Sequence, residues 1–147
     1  MATPLRHLAA IRARLLSSPD LVPLLGTYSS GEKAVHLANI FHIQEPVYPL
    51  ITITEVGGER AVWAPRLLNP VAVQLDFFAK GDAGLMTAAQ MYDYAVDLLH
   101  TDKTRTSSLG ACFHEIREVW SHAMPFWDDD TNAWHAAARY LVRVSTH

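Results

Sequence analysis

Val71-Ala72-Val73-Gln74-Leu75-Asp76-Phe77-Phe78 decides the fold. Val71, Val73, Leu75 and Phe77 fall on every second position, so the segment reads as a β-strand with one apolar face. Two other stretches share that period. Leu50-Ile51-Thr52-Ile53-Thr54-Glu55 lies before it and Trp134-His135-Ala136-Ala137-Ala138-Arg139-Tyr140-Leu141-Val142-Arg143-Val144 after it. In the last, Trp134, Ala136, Ala138, Tyr140, Val142 and Val144 share a face. Three half-apolar strands need something to cover them.

Helices supply the cover. Thr3-Pro4 reads as an N-cap followed by a first helical residue, a place where proline's fixed φ fits and its missing N–H is not needed. Leu5, Leu8, Ala9, Ile11, Leu15 and Leu16 then form an apolar stripe, with Arg6, Arg12 and Arg14 outside it. Ser17-Ser18-Pro19-Asp20 repeats the cap signal, Leu21 to Leu25 makes one more turn, and Gly26 stops it. Ala83 to Leu99 is the second long helix, with Leu85, Ala88, Ala89, Tyr92, Ala95, Val96 and Leu99 at three- and four-residue spacing.

The connections complete the order. Thr27 to Lys33 is a polar loop, Ile40 to Ile43 a short strand, and Glu45-Pro46-Val47-Tyr48-Pro49 an extended connector. Gly57-Gly58 predicts a tight hairpin turn, with Glu59 to Trp63 as the return strand. Pro65 and Asn69-Pro70 break that strand before Val71. Thr101 to Ser108 is polar and mobile in character, Cys112 to Trp120 a strand, and Ser121 to Asn132 a long hairpin loop. The order α-(α)-β-β-β-β-α-β-β predicts the α+β class: an antiparallel sheet with an N-terminal helix or helical hairpin, and one amphipathic helix packed on one face. One domain spans 1–147, with a helical arm over 1–26 and the sheet plus helix over 40–145. Leu8, Ile11, Leu15, Ile51, Ile53, Val73, Leu75, Tyr92, Val96, Leu99, Tyr140 and Val142 are its expected core.

Composition narrows the function. Half of the 147 residues are hydrophobic, enough for one core, whereas the charged fraction of 18% is low for a free monomer and points to partners. A formal net charge of -3 argues against broad nucleic-acid binding. The single Cys112 forms no internal disulfide and suits a reducing compartment. No stretch reaches the roughly 20 apolar residues of a membrane span. The arginine-punctuated opening helix is no signal core, so a cytoplasm is the expected place of synthesis or assembly.

No catalytic or cofactor motif stands out. His36 and His42 are six apart, His114 stands beside Glu115, and His122 follows; none has the i, i+4 spacing of a zinc helix. In a strand, His114 and Glu115 point to opposite faces. Asp128-Asp129-Asp130 lacks the spaced ligands and central glycine of a calcium loop and reads better as a solvated hairpin tip, or as an acidic tip facing a pore or partner. Gly57-Gly58 lacks the lysine and following helix of a phosphate loop. No Gly-x-Ser-x-Gly elbow places a nucleophile. The expectation is a protein that assembles, with no enzymatic activity, no metal and no cofactor. Its expected working surfaces are the loops 27–45 and 121–132, too long for plain connectors. Phe41, His42, Tyr48, Met124, Phe126, Trp127, Asp128, Asp129 and Asp130 are the candidate interface residues on or beside them, a mix of aromatics and charges expected at interfaces.

An ordered pattern spans most of the chain: Ile11-Arg12-Ala13-Arg14-Leu15-Leu16, Asp20-Leu21-Val22-Pro23-Leu24-Leu25-Gly26, Tyr48-Pro49-Leu50-Ile51-Thr52-Ile53, Val73-Gln74-Leu75-Asp76-Phe77-Phe78-Ala79-Lys80, the Ala/Tyr/Leu helix, and Tyr140-Leu141-Val142-Arg143-Val144. This resembles the tail-terminator or tail-completion proteins of long-tailed bacteriophages and related gene transfer agents. Thr27 to Glu45 replaces the family's usual strand after the glycine, and Ser121 to Thr131 is enlarged. The resemblance implies a virion subunit, made in the host cytoplasm, that forms a homo-oligomeric ring, usually a hexamer. Such a ring caps the tail tube, meets the head-tail connector or stopper protein, and lets the genome DNA pass without specific binding. Two other readings stay open. One is a different neck or tail component, such as a connector stopper or tube subunit. The other is a small hydrolase or ligand-binding domain, which a pocket gathering His42, His114 and His122 would favour.

Overall fold

A computed structural model describes residues 6–58, 69–99 and 113–144. Five strands form one sheet: β1 (Val35–His36), β2 (Leu50–Gly58), β3 (Asn69–Ala79), β4 (Phe113–Asp128) and β5 (Ala133–Val144), in the order β1-β2-β3-β5-β4. Helices α1 (Arg6–Leu16) and α2 (Gly84–Leu99) complete the α+β architecture. All strand pairs are antiparallel except β1 with β2, which is parallel, so the sheet is mixed.

β3 is central, hydrogen-bonded to β2 on one side and β5 on the other. Its alternation sets two faces. On the inner face Leu75 stands opposite Ile53 and Ala138, Phe77 opposite Ile51 and Ala136, and Val73 opposite Tyr140, all of them buried. Alanines opposite Phe77 and Leu75, and a tyrosine opposite Val73, level the surface that the helices cover. α2 lies over β3, β5 and β4, and α1 packs beside it on β1 and β2. α1 buries Leu8, Ile11 and Leu15 as its stripe predicts. Arg12 Nε donates to Val35 O at 2.8 Å and ties α1 to β1.

α2 buries Gly84, Ala88, Met91, Tyr92, Ala95 and Leu99. Relative to the expected stripe the helix is rotated slightly: Leu85, Ala89 and Val96 are only partly buried and Met91 takes the interior place. Small residues explain the rotation. A Cβ added at Gly84 would stand 2.7 Å from Trp134 Cδ1, so the helix starts where the sheet allows backbone contact.

Several expected connections differ. Ile40 to Ile43 is no strand; Ile40–His42 is a 3-10 turn capped by Asn39, whose side chain accepts from the Phe41 N–H at 2.9 Å. Gly57 and Gly58 do not form the hairpin turn. They lie within β2, paired with Ala72 and Val71, just past a bulge between Glu55 and Gly57. The return strand placed at Glu59 to Trp63 lies outside the described residues, as do the Thr3-Pro4 cap, Cys112 and Thr101 to Ser108. Asn69 and Pro70 open β3 instead of breaking the chain before it, and Pro70 sits one residue from the strand's start, where a missing donor is tolerated. The expected loop from Ser121 to Asn132 is largely strand: β4 runs on to Asp128, and residues 129–132 alone make the turn, with Asn132 at φ 52°.

Gly26 owes its place to crowding, not to ending a helix. Its N–H donates to Pro49 O at 2.7 Å, and an added Cβ would stand 2.7 Å from Val47 Cγ1 and 2.8 Å from Tyr48 O. This contact folds residues 26–49 back toward the sheet. A second, smaller core results, in which Ala34, Leu50, Phe78 and Ala133 are buried and Tyr28, Ile40 and Tyr48 pack against them.

Candidate functional site

The outer sheet face carries a polar chain where an uncovered sheet would carry scattered charges. Arg139 Nη2 donates to Gln74 Oε1 at 2.8 Å, and Gln74 Nε2 donates to both oxygens of Asp76 at 3.0 and 3.2 Å. His135 Nε2–H donates to Asp76 Oδ1 at 2.7 Å. Its other nitrogen, Nδ1, stands 3.4 Å from Asp128 Oδ2, an ion-pair distance but not an aligned hydrogen bond. Strand phase produces the line: Gln74 pairs with Arg139 and Asp76 with Ala137 across the ladder, while His135 faces Phe78. The imidazole stacks on Phe78 at 4.2 Å and tilts against Phe126 at 4.8 Å. His135 thereby links β3, β4 and β5.

Beside this chain lies a cleft of about 190 Å³, with Thr52, Thr54, Gln74, Asp76 and Phe78 at its base and Asn39, Ile40 and Phe41 along one wall. Phe41 is 67% exposed at its lip. Tyr48 borders the same end. Burial, then the nearby Asp128 carboxylate, raises its phenol pKa and keeps it neutral, and Lys80 Nζ lies 4.4 Å from its ring centre. A larger, open depression of about 330 Å³ lies elsewhere, lined by Tyr28, Glu32, His36 and Glu45 among others. There Tyr28 Oη lies 2.9 Å from His36 Nε2, and burial followed by Arg12 lowers the His36 pKa.

β4 forms the long edge of the sheet, and it is irregular. Its register shifts between Phe113 and Glu115, between Glu118 and Trp120, and between His122 and Phe126. Large apolar side chains project from it: Met124 is 71% exposed, and Val119, Trp120, Phe126 and Trp127 are each between 38% and 50% exposed. Such a series on one strand is unusual for a surface that meets only water. On the inner side β4 is tied down. Tyr92 Oη donates to Glu118 Oε2 at 2.6 Å, and burial followed by that bond raises the Tyr92 pKa. Tyr140, buried beside them, has its pKa raised by desolvation and then by Glu118.

Of the nine residues singled out from sequence, the fold gathers Phe41, Phe126 and Asp128 around His135, while Tyr48 packs on the smaller core that includes Phe78 and feels the Asp128 charge. Phe126 and Trp127 are strand residues, not loop residues. Trp127 takes the opposite face, edge-on to Trp134 with centroids 5.6 Å apart. Met124 projects from the edge, and its carbonyl lies 2.8 Å from His122 Nδ1. His42 is exposed on the 3-10 turn. At the hairpin tip the Asp130 N–H donates to Asp128 Oδ1 at 2.9 Å, the local turn bond expected of an aspartate there, while Asp129 and Asp130 stay exposed. Sequence reading missed Gln74, Asp76, His135 and Arg139. Their signal was present: polar residues at alternate positions, on the outward phase of two strands whose inward phase is apolar.

Among the described residues neither depression gathers His42 and His122, and no cluster of three metal-ligating side chains occurs. No described helix is long and apolar enough to cross a membrane.

No family model matches the sequence, and no curated protein matches it. In three dimensions the chain is similar to a chain of a solved particle described as the virion of a native gene transfer agent. The TM-score is 0.60 at 14% identity, over 94% of this chain and 93% of that one. At that identity the likeness is one of fold, and it extends over almost the whole length of both chains.

Proposed function

We propose that the chain is a structural virion subunit of the tail-terminator type. Copies of it form a ring, six in the family's usual form, at the head-proximal end of a tail tube. One face of the ring meets the tube protein and the other the connector or stopper, and the genome passes through without specific contact. The protein carries out no chemistry.

The observation that carries this reading is the row of exposed aromatic and aliphatic side chains along β4, on a fold similar to that of a gene transfer agent virion chain. A surface of that kind is used for association. The sequence pattern from Ile11 to Val144 supports the finer assignment to the tail terminus. Phe41, His42, Tyr48, Met124, Phe126, Trp127 and Asp128 to Asp130 are its proposed contact residues.

Light scattering on the purified chain, with electron microscopy of the same sample, tests the proposal. Discrete rings are expected, and particles made without the protein should carry tails of uncontrolled length that fail to join heads. A strict monomer at every concentration, with normal tails in its absence, overturns the reading. Extended tubes in the microscope would instead identify a tube subunit.

A further inference from the structure

The imidazole of His135 stands between carboxylates from two different strands. Asp76 of β3 lies 2.7 Å from Nε2, and Asp128, the last residue of β4, lies 3.4 Å from Nδ1. The three side chains are between 14% and 18% exposed, and Nδ1 itself is buried with no hydrogen-bond partner. Phe78 and Phe126 close on the ring from β3 and β4.

A neutral imidazole carries one N–H. The 2.7 Å contact is too short for two bare acceptors, so that N–H is on Nε2. Asp76 holds it there, its own carboxylate fixed by both bonds from Gln74. The Nδ1 lone pair then faces the Asp128 carboxylate, acceptor against acceptor, where water does not screen them. A second proton, taken from solvent onto Nδ1, turns that repulsion into a contact between imidazolium and carboxylate.

Among the described residues Asp128 has no ion-pair partner but His135. Arg139 reaches Asp76 only through Gln74, and its guanidinium lies 5.4 Å from the Trp120 ring centre. Residues 26–49 contribute Tyr48, a neutral phenol with Lys80 Nζ over its ring. β4 contributes His122, edge-on to Phe126. Asp129 and Asp130, exposed at the tip, add negative charge beside Asp128.

We infer that proton uptake at His135 Nδ1 latches the β4–β5 tip onto β3. The part that moves is short. The register of β4 shifts between His122 and Phe126, and beyond the shift only Phe126, Trp127 and Asp128 pair with β5. Closing the 3.4 Å gap to the roughly 2.8 Å of a charge-assisted bond asks this stretch for about half an ångström. Phe126 and Trp127, two of the proposed contact residues, ride on it. The latch closes as pH falls and opens as pH rises, and it stands with or without the proposed ring.

Nuclear magnetic resonance of the chain labelled with nitrogen-15 tests it, from about pH 8 to about pH 5. The ring signals absent from His135→Gln identify those of His135. In the folded wild type Nδ1 should gain a proton while Nε2 keeps its own, and the Trp127 indole and backbone signals should shift over the same interval. Asp128→Asn keeps the shape and removes the charge. The uptake should then move to lower pH, and the Trp127 response should be lost. Asp129→Asn, which removes an equal charge from the exposed tip, and His122→Gln should leave both nearly as in the wild type. An Nδ1 that stays bare across the range overturns the latch, as does uptake that leaves Trp127 unmoved. Both read on the wild type alone, whatever the variants do. Asp129→Asn acting as strongly as Asp128→Asn also overturns it, because the effect would then be one of general charge.

Discussion

His135 Nε2 and Asp76 Oδ1, 59 residues apart in sequence, lie 2.7 Å apart on the outer sheet face and join β5 to β3 outside the backbone ladder. Both side chains are mostly buried, so the bond forms in a medium much less polar than water. His135→Ala removes it together with two ring contacts and leaves Asp76 with Gln74 alone. A loss of about 2–3 kcal/mol is expected, as for hydrogen bonds to charged groups. Urea unfolding measures it, and a loss under about 0.5 kcal/mol would mean that the pair behaves as a surface ion pair.

Leu75→Ala tests the central strand. Leu75 is fully buried between Ile53 and Ala138, under the helices. The substitution should cost on the order of 2–5 kcal/mol. An unchanged unfolding midpoint would place β3 in the opposite phase.

Gly26→Ala tests the fold-back of residues 26–49. The added methyl meets Val47 Cγ1 at 2.7 Å and Tyr48 O at 2.8 Å. Backbone oxygen does not yield as a side chain does, so about 1–3 kcal/mol of stability should be lost. Phe41 and Tyr48 should become more accessible to chemical labelling.

His36 sets a pH dependence. Its folded pKa is lowered from 6.5 by burial and then by Arg12, so between the folded value and 6.5 the unfolded chain binds more protons. Stability from this group is full above pH 6.5 and falls as pH drops through that window. His36→Gln should flatten that part of the profile in urea midpoints taken between about pH 8 and pH 5. Parallel profiles for the two proteins would count against it.

Met124→Lys should leave folding alone, since the side chain is 71% exposed, and change stability by no more than about 0.5 kcal/mol. Under the proposed function it should still weaken assembly in light scattering. Unimpaired assembly would remove Met124 from the contact surface.

What the sequence disclosed follows how strongly each segment is constrained. β3 and β5 are flanked on both sides and packed on one face, so Val73, Leu75, Phe77, Ala136, Ala138, Tyr140 and Val142 keep strict alternation and are legible at once. α1 was legible for the same reason. β4 was half hidden, because an edge strand with three register shifts loses its period, and Pro125 within Ser121 to Asp128 looks like loop. Gly57-Gly58 misled because paired glycines serve bulges as well as turns. β1 is two residues long, too short for any period. The surface residues Phe41, Phe126 and Trp127 stood out as large apolar side chains among charges. His135 did not, because one histidine in an alanine-rich strand carries no signal until Asp76 and Asp128 are brought to it by pairing.

The irregular edge has one more consequence. A strand arriving alongside β4 would need its donors and acceptors to meet partners at an even repeat, and three register shifts and a proline deny it that repeat. β4 is therefore a poor template for amyloid-like stacking. Along this edge, side-chain fit and not ladder pairing is left to choose a neighbour.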